Sequence, residues 1–97
     1  MKIQTRNDIQ KISIGDYLKV CTRSPMLADQ MLIIRVSEVD HSSLTEPQVR
    51  GEVLLCPTHI ISWGKFMTVP LLEKDLIIEI ITYDEFITAK LSVMRFQ

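Results

Sequence analysis

"QMLIIRVSEVD" (30–40) is the stretch that decides the fold class. Leu32, Ile34 and Val36 share one face of an extended chain, and the residues between them share the other. A period of two is that of a β-strand rather than a helix. The polar stretch "HSSLTEPQ" (41–48) contains Pro47 and follows at once, which predicts a long hairpin loop.

Further strands are expected on both sides of this stretch. Short apolar, β-rich runs separated by turn signals predict strands at 17–22 and 49–56, β-rich segments at 59–63 and 65–71 on either side of Gly64, and a strand at 76–83. The run "LIIEIITY" (76–83) is apolar on both faces, which is typical of a buried or central strand. The sequence thus predicts five or six strands.

The last segment, "FITAKLSVMRF" (86–96), is compatible with two structures. Its alternation predicts a strand that forms a hairpin with 76–83 across Asp84-Glu85, with Lys90 facing outward. We then expect the hairpin to supply core residues: Ile77, Ile78, Ile80, Ile87, Leu91 and Val93. The alternative is a helix that begins at an Asp84 cap, because Phe86, Ala89 and Val93 also fit a period of 3.6.

The N-terminal segment is predicted to hold at most one or two helical turns. "TRNDIQKI" (5–12) begins with a Thr-x-x-Asp pattern, which is like a capping box. After it, "IGDYLKV" (14–20), a second strand and a long loop resemble the opening of an SH3-like barrel. The expected fold is all-β: a small, partly open antiparallel barrel formed by residues 1–97 as one domain.

Composition narrows the function classes. The 97 residues are 46% hydrophobic and 24% charged, so disorder is not expected, and the net charge of −1 provides no basic field for nucleic acid. No apolar run is long enough to cross a membrane, and because polar residues follow Met1-Lys2 we expect no secretory signal. With only Cys21 and Cys56, we expect reduced thiols and a cytoplasmic protein.

"CPTHIISWG" (56–64) is the one stretch with chemically suggestive residues. Cys56 and His59 have the spacing of a zinc knuckle, and Cys21 and His41 would complete four ligands. They would have to converge from separate elements, so we interpret them as bystanders and expect no metal. A nucleophilic Cys56–His59 pair is disfavoured because no nearby group would orient the imidazole. The three glycines are scattered, so no phosphate-binding loop is expected, and we predict no cofactor, no catalytic residue and no enzymatic activity.

By elimination, we expect a protein-binding module: a small stand-alone inhibitor or adaptor, of the phage-antagonist or immunity-protein kind, that occludes a larger partner. Trp63 has the most area to offer such a partner, although a core position is favoured for it. The contact surface is therefore placed on Lys65, Phe66 and the loop at 41–50, with these candidates in that loop: His41, Glu46 and Arg50.

Two other functions stay open. An oligonucleotide-binding barrel would use Tyr17, Trp63, Lys65 and Phe66, together with the N-terminal segment 1–23, which carries five basic and two acidic side chains. A homo-oligomer would form if open strand edges paired.

Overall fold

The computed structural model describes residues 1–22, 31–40, 47–56 and 62–94 of the chain. The elements in chain order are β1 (Lys2–Ile3), α1 (Arg6–Ile9), β2 (Tyr17–Thr22), β3 (Met31–Asp40), β4 (Gln48–Leu55), β5 (Phe66–Pro70), β6 (Leu76–Ile81) and α2 (Tyr83–Met94). The strands predicted at 17–22, 30–40, 49–56, 65–71 and 76–83 are confirmed to within two residues at each end. Of the β-rich segment predicted at 59–63, residues 59–61 lie outside the described ranges, and Ser62 and Trp63 are not in a strand. β1 was not predicted, because two residues carry no periodic signal.

The six strands of the described residues form one antiparallel sheet in the order β1-β6-β2-β3-β4-β5. The all-β prediction and the strand count are therefore confirmed, and so is the internal position of β6. The sheet is not closed into a barrel, because β1 and β5 lie at opposite ends of this order and do not pair with each other. β1 offers only two residues for such a pairing. The SH3-like resemblance stays a prediction.

The inner face of the sheet carries the larger core. Alternate residues of the central strands supply it, such as Leu18, Ile34 and Val53, each with no exposed surface. The N-terminal segment covers this face, since Ile9 and Ile12 are buried in the same cluster. Burial of apolar surface is the main source of stability in so small a domain.

The outer face of the sheet carries a second, smaller core beneath α2. Ile33, Leu55 and Ile81 form it with Phe86 of the helix. Ile33 and Ile34 are consecutive and therefore point to opposite faces, yet both are fully buried. A central strand of this sheet is thus covered on both sides.

The predicted strand at 86–96 is wrong as far as Met94, since residues 83–94 form the helix that was the alternative. The expected hairpin with β6 is therefore absent, and β6 pairs instead with β1 and β2. Of the six core residues expected there, Ile78 is buried, whereas Ile80, Ile87 and Val93 are half-buried. Ile77 and Leu91 are exposed, and Leu91 has 55% of its surface free because its helical position points away from the sheet.

Both helices begin with the same local device. Thr5 caps α1: its hydroxyl accepts a hydrogen bond from the Asp8 N–H, and the Asp8 carboxylate accepts from the N–H groups of Gln4 and Thr5 at 3.0 Å each. Thr82 and Glu85 exchange the equivalent bonds at the start of α2, each 3.1 Å long. These backbone donors lower the pKa of both carboxyl groups, Asp8 and Glu85. The predicted capping box at Thr5 is confirmed.

Neither helix in the described ranges has the length and apolar character needed to cross a bilayer. The longer one, α2, has twelve residues and carries charged side chains.

Candidate functional site

Phe66 lies where the outer face of the sheet meets its β5 end. The register places Phe66 opposite Glu52 of β4, and Glu52 opposite Arg35 of β3. α2 does not cover this row, so 53% of the surface of Phe66 is exposed and Arg35 is exposed as well. A large aromatic ring beside charged groups is therefore open to solvent at the edge of the sheet.

Arg50 stands over the ring of Phe66. It pairs with Thr68, two residues further along β5, so its long side chain reaches Phe66 along the diagonal. The guanidinium carbon lies 5.9 Å from the ring centroid, which is within the range of a cation–π contact. The contact pre-orders two side chains that are both exposed.

Gly51 holds β3 and β4 close together beside this pair. A Cβ atom at position 51 would lie 2.6 Å from the backbone oxygen of Arg35, closer than a side chain tolerates. Only glycine therefore permits the approach that sets Arg35 next to Glu52. Gly64, at φ 87°, makes the turn that leads into β5, and its N–H donates to the Val53 oxygen at 2.7 Å.

Ile14 adds an aliphatic group to the same region. It is 72% exposed and precedes Gly15, whose N–H donates to the Val36 oxygen at 2.8 Å and so ties this loop to β3. Ile14 lines a shallow, open depression with Arg35, Glu52 and Phe66. We call the set Ile14, Arg35, Arg50, Glu52 and Phe66 the Phe66 surface.

Trp63 belongs to the interior more than to this surface. It is half-buried and packs against both cores, and its indole N–H donates to the Cys56 oxygen at 3.1 Å. The Lys90 ammonium of α2 lies 5.8 Å from the ring, so the helix covers part of it.

The predicted contact residues differ in where the structure places them. Arg50 and Phe66 are brought together, and Lys65 is exposed next to Phe66 in the chain. His41 and Glu46 lie outside the described residues. Their role in contact stays a prediction, as does that of all the others.

Arg35, Ile14 and Glu52 were missed by the sequence reasoning. Alternation along β3 and β4 puts Arg35 and Glu52 on the polar face, but only the register shows that the two face Phe66 in one row. Ile14 opens the stretch 14–20 that resembles an SH3-like barrel, and no local signal marks it as exposed.

A second exposed apolar group runs along α2. Tyr83, Leu91 and Met94 are exposed and Ile87 is half-buried, and the four lie within about 80° of one another on the helix. Polar residues such as Asp84 and Thr88 occupy the arc of the helix just beyond Leu91. The helix is thus apolar over a wider arc than the sheet covers.

The residues weighed as zinc ligands, and interpreted as bystanders, are only partly within the described ranges. Cys21 lies on β2 and is half-buried, whereas Cys56 is buried in the inner core. His41 and His59 lie outside those ranges. Within residues 1–22, 31–40, 47–56 and 62–94, no group of three or more His, Cys, Asp or Glu side chains could hold a metal ion.

Comparison with known proteins gives no further guidance: neither a protein-family profile nor a curated protein matches this chain.

Proposed function

We propose that this chain is a non-enzymatic protein-binding module and that the Phe66 surface is its contact site. The single observation that carries the proposal is the exposed ring of Phe66 with the Arg50 guanidinium over it. Aromatic and arginine side chains are the types enriched among residues that dominate protein–protein affinity. Ile14 lines the same depression as Phe66, so a partner could desolvate both apolar side chains together.

The finer proposal is that the module inhibits or adapts a larger cytoplasmic partner by occluding it. The Phe66 surface is shallow and open, so it suits the flat contact of another protein better than the enclosure of a small molecule. The charged residues around the ring would form the polar rim of such an interface.

The oligonucleotide alternative has weaker support from the same region. Tyr17 is stacked on Phe86 at 5.2 Å and Trp63 is half-buried, so Phe66 is the most exposed of the three aromatic residues expected to stack on bases. Glu38 lies opposite Arg50. Glu52 lies opposite Arg35 on one side and Phe66 on the other. These two carboxylates place negative charge where a phosphate backbone would run.

The test is capture of a partner from a host lysate with this chain immobilised. Phe66→Ala and Arg50→Ala should each lower the amount captured by about tenfold or more, which is the size of effect expected for a dominant contact. Leu72→Ala is the matched control, because Leu72 is an exposed apolar residue of the link between β5 and β6 and should change little.

Salt separates the two macromolecule classes in the same assay. A protein contact with an apolar centre should persist as salt rises, whereas binding through phosphates should fall steeply. A Phe66-dependent captured species that is nuclease-sensitive and salt-labile would replace the protein proposal with the oligonucleotide one. Equal capture by all variants would refute the assignment of the site.

A further inference from the structure

The outer edge of β5 has a defined set of unused backbone groups. In an antiparallel pair, residues that exchange hydrogen bonds alternate with residues that do not. The Leu71 N–H donates to the Pro47 oxygen at 2.9 Å, and the Val53 N–H donates to the Lys65 oxygen at 2.8 Å. With the register between them, these bonds direct the backbone of Met67 and Val69 toward β4. Phe66, Thr68 and Pro70 therefore direct their backbone groups away from the sheet.

Pro70 is compatible with this orientation, because proline has no backbone N–H and so leaves no donor without a partner on the open side. The open edge thus offers two donors, the N–H groups of Phe66 and Thr68, and the carbonyl oxygens of residues 66, 68 and 70. Among the described strands none pairs with this edge. β5 also carries no charged side chain over residues 66–70, although charges are a common protection of edge strands.

The β1 end of the sheet differs from the β5 end in strand length and in charge. β1 is only two residues long and contains Lys2, which is exposed. An edge that is short and charged is a poor template for another strand. Of the two ends, β5 is the one suited to pairing.

We propose that β5 pairs antiparallel with β5 of a second copy of this chain, with the twofold axis at Met67. Phe66 and Thr68 of one copy then exchange hydrogen bonds with Thr68 and Phe66 of the other. All four open N–H groups are satisfied in this register, and no N–H is required from Pro70.

The neighbouring symmetric registers are less suitable. An axis at Thr68 would direct the Pro70 ring against the carbonyl of Phe66 in the other copy, at a site where a hydrogen bond is needed. An axis at Phe66 would pair Thr68 with Gly64, which lies in a turn at φ 87° and whose N–H is already bonded to Val53. The chemistry of the edge therefore selects the axis at Met67.

The side chains agree with this axis. On the outer face, Phe66 of each copy lies opposite Thr68 of the other, and the two Phe66 rings are diagonal neighbours within reach of each other. Arg50 already stands over Phe66 and would flank both rings. The pairing thus buries an aromatic ring that is 53% exposed in the single chain.

The inference rests on the proposed function, because it names a partner for Phe66. Both contacts use the same ring, so self-pairing and capture of a larger partner are mutually exclusive. A five-residue pairing falls at the low end of interface sizes, so we expect a reversible dimer with a dissociation constant on the order of 10–100 µM.

The first experiment is sedimentation of the full chain from about 5 to about 500 µM, where the wild type should pass from monomer to dimer. Thr68→Pro removes an open N–H that the monomer does not use, and it should raise the dissociation constant at least about tenfold while the circular dichroism spectrum stays unchanged. Lys2→Pro, at the other edge, is the matched control and should leave the dimer intact. A wild type that is monomeric throughout, or a Thr68→Pro variant that dimerises equally, would overturn the proposal.

The second experiment fixes the register by oxidative cross-linking in a Cys21→Ser background. Met67→Cys should give a covalent dimer, because residues facing each other across a non-bonded pair are about 4.5 Å apart at Cα, within the range of a disulfide. Thr68→Cys should cross-link at least about tenfold more slowly, since its copies would be diagonal neighbours. Faster cross-linking at Thr68 would refute the axis at Met67.

The two experiments also separate this inference from the proposed function. A chain that stays monomeric yet captures a partner through Phe66 eliminates only the dimer. A chain that dimerises as described but shows no Phe66-dependent capture supports the dimer and removes the occluding function.

Discussion

At the residue scale, Phe86 and Leu91 show how position on one helix decides how much a side chain contributes to the free energy of unfolding. Phe86 is 6% exposed, stacks on Tyr17 at an interplanar angle of 12°, and fills the outer core with Ile33. Leu91 lies five residues later, at a helical position turned away from the sheet. Sequence alternation had assigned Leu91 to the core and had made no such assignment for Phe86.

Phe86→Ala should lower the free energy of unfolding by about 3–5 kcal/mol, because it removes a buried ring and leaves a cavity beneath α2. Leu91→Ala should change it by less than about 0.5 kcal/mol, as expected for an exposed site. Urea denaturation followed by circular dichroism measures both. A larger loss for Leu91→Ala than for Phe86→Ala would contradict the docked orientation of α2.

At the element scale, a capping box determines where α2 begins. The alternation of residues 86–96 predicted a strand there instead. Thr82-x-x-Glu85 is a capping box like Thr5-x-x-Asp8, and its two reciprocal hydrogen bonds occupy backbone donors that a helix leaves open. The alternative helix of the sequence analysis has its cap at Asp84, two residues after the observed cap at Thr82, so its type is correct and its start is not.

Glu85 should make the stability of α2 depend on pH in the acidic range. Its pKa is lowered in the folded chain, chiefly by the Thr82 N–H, so the stabilising bond is fully present above the pKa of the unfolded chain. It is lost as the pH falls through the folded pKa. The urea midpoint should therefore fall less between neutral and acidic pH in Glu85→Gln than in the wild type. Glu73→Gln, in the link before β6, is the control and should keep the wild-type pH profile.

At the scale of the whole molecule, the sheet separates the two thiols. Cys21 is on β2 at a position that alternates with the inner-core residues Leu18 and Val20, and therefore faces outward. Cys56 follows β4 and is buried in the inner core, and β3 lies between the two strands. One ion could not be bound by both without a rearrangement of the sheet.

The purified protein should therefore contain no stoichiometric zinc, and a chelator should leave its melting temperature unchanged. Metal analysis and a thermal melt with and without chelator provide the measurement, with a Cys21→Ser variant as control. One equivalent of zinc, together with unfolding by chelator, would contradict this arrangement of the thiols.

The sequence by itself determined most of the sheet. The strands at 17–22, 30–40 and 49–56 could be predicted because alternation and turn residues act over a few positions and need no distant partner. The capping box at Thr5 could be predicted for the same reason. Of the candidate site, the sequence predicted Arg50 and Phe66 as candidate contact residues, but it could not show that one lies over the other.

Only the tertiary structure decided the rest, because those features depend on which strands are neighbours. Residues 86–94 fit both periods, and they are helical because Ile33, Leu55 and Ile81 form an apolar outer face that Phe86 covers. The row Arg35–Glu52–Phe66 exists through the pairing of β3, β4 and β5. Phe66 is exposed because β5 ends the sheet order, and a strand's place in a sheet is set by long-range pairing that its own residues do not encode.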